Sequence, residues 1–139
     1  MKVLYEATMT NTGGREGHVD APDQSLSLKI LPPGKDDMEA TNPEQLFAAG
    51  YSSCFNGALE LMLKRGRAKY ETSTVTAKVR LLEDPEDKGF RIGVTLICSV
   101  KGLSLDEARE YVDKAHGFCP YSKATRNNID VELVVVEAE

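Results

Sequence analysis

The chain has 139 residues and a formal net charge of −5, and hydrophobic residues make up 41% of it. This length predicts a single domain over residues 1–139, and the composition is that of a soluble globular protein. No apolar run of transmembrane length and no leader segment is present, so we expect a cytoplasmic protein with no membrane partner. The densest basic group, at 63–69, lacks interleaved aromatic residues, which argues against a nucleic-acid partner.

Two segments near the start of the chain, residues 2–10 and 25–31, alternate apolar and polar side chains, as half-buried strands do. A further strand near His18 is an option. The glycine-rich segment at 11–18 predicts a turn, so we expect a hairpin here. Residues 32–41 predict a loop.

A long helix is predicted from Pro43 to about Arg65. Asn42 is a favourable N-cap because its side-chain oxygen accepts from first-turn N–H groups, and Pro43 suits the first helical position. Apolar or small side chains lie nearly all round this helix, which is typical of an element covered on several sides. Because so short a chain has few elements to cover it, we predict a homodimer.

The second half of the chain predicts a hairpin, two helices and a last strand. Strands are expected at residues 73–82, 90–100 and 129–136. Ser104 and Glu107 have the spacing of a capping box, and Gly117 suits the C-terminal cap of the helix that follows. Its apolar stripe consists of Leu105, Ala108, Val112 and Ala115. A short third helix is expected to begin at Cys119 and Pro120. Strands joined by tight turns are antiparallel, so the fold class is α+β.

The three cysteines differ in their surroundings. None has the spacing of a metal site and only two histidines are present, so we expect no metal and no cofactor. Cys98 shares one strand face with apolar residues and is predicted to be a small core residue. Cys54 lies among small residues of the long helix, and Cys119 lies where helix N–H groups favour a thiolate. For both, core packing and a reactive thiol are alternative interpretations.

Two charged residues are further candidates. Arg15 follows two glycines, and Glu44 lies in the first turn of the long helix. A solvated arginine and a carboxylate that offsets the helix dipole are the simplest interpretations. Glu44 and Cys54 are roughly 15 Å apart along a helix axis and cannot touch. A guanidinium between them could bind the carboxylate at one end and a thiolate at the other.

Three motifs carry a family resemblance: GGR at 13–15, TNPEQLFAAGYSSCF at 41–55 and FCPYSKATRNNIDV at 118–131. Together they resemble the organic hydroperoxide resistance branch of the Ohr/OsmC peroxidase family, over nearly the whole chain. The resemblance implies an OsmC-like α+β fold. Antiparallel sheets would pack around a long central helix in an intertwined homodimer.

The resemblance also implies a thiol peroxidase that reduces organic hydroperoxides to alcohols in defence against oxidative stress. It implies that Cys54 is the peroxidatic thiol, that Cys119 resolves it through a disulfide, that Arg15 activates it and that Glu44 orients Arg15. Dihydrolipoamide or a lipoylated protein would be the reductant. Apolar side chains near the site, with Phe47 and Phe55 as candidates, would favour bulky alkyl, aryl or fatty-acid hydroperoxides. A thiol-based redox sensor and a dimer that binds a small apolar ligand remain alternative functions.

Overall fold

The computed structural model describes every residue from Met1 to Glu139. In chain order its elements are β1 (Thr10–Thr12), β2 (Gly17–Asp20), β3 (Ser27–Ile30), β4 (Ala40–Thr41), α1 (Pro43–Arg65), β5 (Thr72–Asp84), β6 (Gly89–Lys101), α2 (Leu105–Phe118), α3 (Pro120–Thr125) and β7 (Val131–Val135). The chain divides into two compact units, Met1–Leu46 and Phe47–Glu139. None of the three helices combines the length and hydropathy that a membrane crossing requires.

The first unit contains a four-stranded sheet in the order β1-β2-β3-β4. β1 and β2 form an antiparallel hairpin around the predicted glycine-rich turn, β2 being the further strand considered near His18, and β3 pairs antiparallel with β2. The turn between β1 and β2 contains Gly13 and Gly14, whose φ angles of +87° and +62° are left-handed values that glycine adopts without strain. The predicted loop ends in β4, which pairs parallel with β3.

The prediction of a strand at residues 2–10 is wrong for the isolated chain. Residues 1–9 form no regular structure, and the first strand begins only at Thr10. Val3, Leu4 and Tyr5 are 78%, 86% and 84% exposed. Alternation produces a strand only where a neighbouring strand accepts the backbone hydrogen bonds, and no strand of this chain pairs with the segment.

The second unit contains a three-stranded sheet in the order β5-β6-β7. β5 and β6 form the predicted long antiparallel hairpin, and β7 pairs parallel with β6. A parallel pair requires a crossover connection, which α2 and α3 supply between β6 and β7. The fold is therefore α+β, as predicted, with antiparallel-rich sheets that each end in one parallel pair.

The long helix α1 has the predicted bounds, Pro43–Arg65. The Asn42 side-chain oxygen accepts from the backbone N–H of Gln45 at 2.8 Å, which confirms the N-cap. Within the chain one face of α1 is buried, and this face consists of Tyr51, Phe55, Ala58, Leu59 and Leu63. These side chains form the core together with residues of β6 and α2.

Helix α2 begins as predicted but ends later. The capping box is present, since Glu107 N–H donates to Ser104 Oγ at 3.2 Å and the Glu107 carboxylate accepts from Ser104 N–H at 3.4 Å. Gly117 is not the cap, because Cys119 N–H still donates to Ala115 C=O at 2.8 Å and helical bonding continues up to Pro120, which has no N–H. Leu105 was predicted to be in the buried stripe, but at the first helical position it is 42% exposed.

Candidate active site

Two of the three cysteines, Cys54 and Cys119, meet in the second unit. Their thiols are close enough to influence each other's protonation, although they come from α1 and from the junction of α2 and α3, and Cys54 packs against the buried cluster that includes Cys119. Both are free thiols, Cys54 half-buried and Cys119 fully buried. The tertiary structure therefore places a partly accessible thiol directly against a second thiol that solvent does not reach.

Pro120 positions Cys119. The proline ends the hydrogen bonding of α2 and occupies the first position of α3, so Cys119 stands between the two helices with an extended backbone. α3 also approaches α1 closely, since a Cβ atom at Gly50 would lie 2.5 Å from the Tyr121 hydroxyl. The space that Gly50 leaves beside Cys54 is therefore filled by Tyr121, and this close approach brings the two thiols together.

The surroundings of Cys54 within this unit favour its neutral form. Burial raises the pKa of the Cys54 thiol, the backbone N–H of Tyr121 acts to lower it, and the neighbouring Cys119 raises it further. The net direction of the pKa is upward. A reactive thiolate at Cys54 consequently requires a cation to offset the cost of burial.

Cys98 is the core residue that the sequence predicts. It is fully buried on β6, and burial raises the pKa of its thiol to about 12. At neutral pH it therefore remains a protonated, inaccessible thiol. Thiolate chemistry requires the deprotonated sulfur, so Cys98 is chemically inert in the folded protein.

Arg15 and Glu44 form an ion pair in the first unit. Arg15 Nη1 donates to Glu44 Oε2 at 3.0 Å and Nη2 donates to Oε1 at 2.8 Å, which is the bidentate geometry. This hydrogen bonding, together with the opposite charge, lowers the pKa of Glu44 and raises the pKa of Arg15. Arg15 is thus half-exposed but held by its carboxylate partner, and is not a freely solvated arginine.

Asn11 stabilises the turn that presents Arg15, and sequence reasoning missed it. Its side-chain oxygen accepts from Gly14 N–H at 3.0 Å, and its amide donates to Gly14 C=O at 3.0 Å and to His18 C=O at 3.2 Å. The signal available in the sequence was an asparagine two residues before a Gly-Gly pair, a combination typical of tight turns.

A cleft of about 740 Å³ opens beside the residues that follow Cys119. Most of its lining side chains are apolar or aromatic, among them Phe47, Phe90, Ile92, Pro120, Tyr121 and Ile129. The expectation that Phe47 faces a pocket agrees with this lining. Phe55 does not line the cleft, because it is fully buried in the core, with its ring centre 6.3 Å from that of His116.

The OsmC-like protein family model matches residues 34–134 of the chain. The chain belongs to this OsmC-like family. Among curated proteins it is 50% identical over 140 residues to the organic hydroperoxide resistance protein-like 1 of Staphylococcus epidermidis, with all of both chains covered. It is 48% identical over 136 residues to the organic hydroperoxide resistance protein-like protein of Staphylococcus aureus MRSA252, with 97% of each covered.

Solved structures place this OsmC-like chain in the same branch. The organic hydroperoxide resistance protein OhrB of Bacillus subtilis superposes with a TM-score of 0.89 at 45% identity, covering 96% of this chain and 100% of the other. The organic hydroperoxide resistance protein of Elizabethkingia anophelis superposes with a TM-score of 0.91 at 43% identity, covering 99% and 100%. The resemblance inferred from the sequence motifs and the OsmC-like α+β fold of the chain are confirmed, whereas the homodimer stays a prediction.

Proposed function

We propose that this protein is a cysteine-based peroxidase that reduces organic hydroperoxides to alcohols in defence against oxidative stress. One observation carries the proposal: two free thiols, Cys54 and Cys119, are neighbours in the core beside an apolar cleft. The similarity over the full length to proteins named for organic hydroperoxide resistance supplies the substrate class. An apolar cleft suits a peroxide that carries an alkyl or aryl group.

In the first chemical step, the Cys54 thiolate attacks the terminal oxygen of the hydroperoxide. The S–O bond forms as the O–O bond breaks, the sulfur is oxidised by two electrons, and the alkoxide leaves and takes a proton to become the alcohol. Cys54 is then a sulfenic acid. Its partial exposure allows this encounter, whereas the fully buried Cys119 has no comparable access to the peroxide.

In the second step, the Cys119 sulfur attacks the sulfenic sulfur of Cys54. A disulfide forms and the sulfenic oxygen leaves as water after it takes the thiol proton. Because the two thiols are already neighbours, we expect that little backbone movement is required. A dithiol reductant, for which the family resemblance indicates a dihydrolipoyl group, then restores both thiols by thiol–disulfide exchange.

We propose that the positive charge of Arg15 stabilises the thiolate of Cys54. Burial raises the pKa of Cys54, and a guanidinium is the group best able to counter this without losing its own charge. Lowering the thiol pKa by about two units would require roughly 2.7 kcal/mol of preferential stabilisation of the thiolate. Glu44 would orient the Arg15 guanidinium through its two hydrogen bonds.

A steady-state assay separates this enzyme from a redox sensor and from a ligand-binding protein. With dihydrolipoamide, dihydrolipoamide dehydrogenase and NADH, we expect continuous NADH oxidation with tert-butyl hydroperoxide. The apolar cleft predicts a kcat/KM for hydrogen peroxide that is lower by about tenfold or more. One equivalent of the organic peroxide without reductant should remove two of the three thiols in each chain.

Three other results would contradict parts of this proposal. Loss of two thiols with only slow NADH oxidation would indicate a redox sensor, because its disulfide is reduced slowly. Loss of no thiol would indicate a ligand-binding protein. Equal kcat/KM values for the two peroxides would remove the role of the cleft while leaving the thiol chemistry intact.

We also propose that the protein is a homodimer. Val3, Leu4 and Tyr5 are consecutive exposed apolar residues in a segment that has no strand beside it in the chain. A second copy could supply that neighbour and cover these side chains. Light scattering coupled to gel filtration should give twice the chain mass of 15.2 kDa, and a monomer at micromolar concentration would contradict the proposal.

A further inference from the structure

A cluster of buried polar side chains lies next to the two thiols. The Tyr51 hydroxyl is 2.9 Å from Ser122 Oγ and 3.1 Å from Thr125 Oγ1, and His116 Nδ1 is 2.9 Å from Ser122 Oγ. Tyr51 and Ser122 are fully buried and Thr125 is 5% exposed. We refer to Tyr51, His116, Ser122 and Thr125 as the Tyr51 cluster. Because a buried polar group without a partner is costly, such a cluster favours one geometry over its alternatives.

One direction of hydrogen bonding uses every hydrogen of the cluster once. Thr125 Oγ1–H donates to Ser122 C=O at 3.2 Å, so the Tyr51 hydroxyl donates to Thr125 Oγ1 and accepts from Ser122 Oγ–H. Ser122 Oγ then accepts from the Nδ1–H of His116. Burial lowers the pKa of His116, with Arg126 lowering it further and Asp113 acting in the opposite direction, so the neutral ring fits this role.

The spacing of the Tyr51 cluster matches that of the thiols. Tyr51 precedes Cys54 by three residues on α1, and Ser122 follows Cys119 by three residues in α3. The Tyr51–Ser122 hydrogen bond therefore joins the same two segments as the thiol pair, one helical turn away. His116 precedes Cys119 by three residues, so its bond to Ser122 ties α2 to α3 across the junction that carries Cys119.

α3 depends on such ties because it is short. Its six residues are far fewer than an isolated helix requires for stability in water. Cys119 itself makes no side-chain capping bond to α3. The hydroxyl groups of Ser122 and Thr125 are the only side-chain groups of α3 that hydrogen-bond to α1, and both bind Tyr51.

Resting on the peroxidase proposed above, we infer that Tyr51, Ser122 and His116 are positioning residues that hold Cys119 against Cys54 for disulfide formation. None of the three lines the apolar cleft, and their side-chain hydrogen bonds go to one another and to Thr125. Their effect is on the second step alone, in which the Cys119 sulfur must meet the Cys54 sulfenic acid in line. Loss of the cluster should slow this capture and leave the sulfenic acid open to a second peroxide molecule, which oxidises it to the sulfinic acid and releases a second alcohol.

Tyr51→Phe is the primary test, because it removes the hydroxyl and keeps the buried ring. Rapid quenching with an alkylating reagent followed by mass spectrometry counts the thiol, sulfenic, disulfide and sulfinic forms after one and after ten equivalents of tert-butyl hydroperoxide. We expect alcohol release in the first step to stay within about twofold of the parent, and disulfide formation to slow by about tenfold or more. The sulfinic yield at ten equivalents should rise toward that of Cys119→Ser.

Tyr111→Phe is the matched control. It removes one tyrosine hydroxyl that binds Gly66 C=O at 3.4 Å, away from the thiols, and should leave both steps unchanged. A second pair addresses His116: the amide of His116→Asn can donate near the Nδ1 position and should retain most of the capture rate, whereas His116→Leu should lose it. A general loss of packing would affect the two His116 variants alike and would slow the first step as well.

The outcomes separate this inference from the function on which it rests. Absence of stoichiometric alcohol release in the parent protein would refute the peroxidase. Normal alcohol release with an unchanged rate of disulfide formation in Tyr51→Phe would refute the positioning role. If thermal unfolding shows that Tyr51→Phe is not folded, Ser122→Ala and His116→Leu carry the same expectation and the same refutation.

Discussion

Replacement of Cys54 by serine is expected to lower kcat/KM for tert-butyl hydroperoxide by roughly a thousandfold or more, as the loss of a catalytic nucleophile does. A serine hydroxyl is barely ionised near neutral pH and is a poor nucleophile toward a peroxide oxygen, so the first step should fail. The NADH-coupled assay measures the loss. The variant should fold normally, because Cys54 is half-buried and serine has nearly the same size.

Cys98→Ala is the control for this substitution. It also removes one thiol from the second unit, but that thiol is fully buried and its pKa is raised to about 12, so peroxidase activity should remain close to the parent value. The substitution should instead lower the free energy of unfolding by on the order of 1 kcal/mol, because removal of the buried sulfur atom loses packing contacts. A Cys54→Ser protein with the activity of the parent would refute the assignment of the peroxidatic thiol.

Replacement of Arg15 by leucine is expected to lower kcat/KM by about a hundredfold near neutral pH, the effect of a two-unit rise in the thiol pKa. The pH dependence follows from the sign of that change. The thiolate fraction rises with pH, so kcat/KM should rise with pH in both proteins, with the midpoint at higher pH in the variant. The deficit should therefore be largest below the Cys54 pKa of both proteins, should shrink as the pH exceeds the pKa of the parent, and should vanish above the pKa of the variant.

Arg109→Leu provides the matched control for Arg15. Arg109 is 48% exposed against 50% for Arg15 and likewise forms an ion pair with a carboxylate, Asp113, at 3.1 Å. Its replacement should leave the midpoint of the pH profile unchanged. A uniform loss of activity in Arg15→Leu at all pH values would indicate that Arg15 binds the peroxide and does not set the thiol pKa.

The parts of the fold that local chemistry decides were predictable. The bounds of α1 follow from the cap at Asn42 and the proline after it, and the start of α2 follows from Ser104 and Glu107. Cys98 was placed in the core by the two-residue period of β6. In each case the deciding interactions lie within a few residues of one another along the chain, so the sequence pattern contains them.

The errors fall where a distant partner decides the structure. Residues 2–10 alternate like a strand but have no strand to pair with in the chain. Phe47 and Phe55 were both candidates for the pocket, because an all-round apolar helix does not reveal which face the core will cover, and Phe55 lies in the core. Gly117 was assigned as a cap because glycine often ends helices. Here Pro120 ends the helix, and the backbone N–H of Cys119 continues its hydrogen bonding past the glycine.

The residues alone established the α+β class, the inert cysteine and, through three motifs, the family. Only the folded chain showed that Cys54 and Cys119 are neighbours, that Arg15 binds Glu44 with both terminal nitrogens, and that Tyr51 joins α3 to α1. The reason is physical: helices, caps and turns are set by neighbours in sequence. A site is set by which side chains the packing of distant segments brings within hydrogen-bond range, and no local pattern encodes that distance.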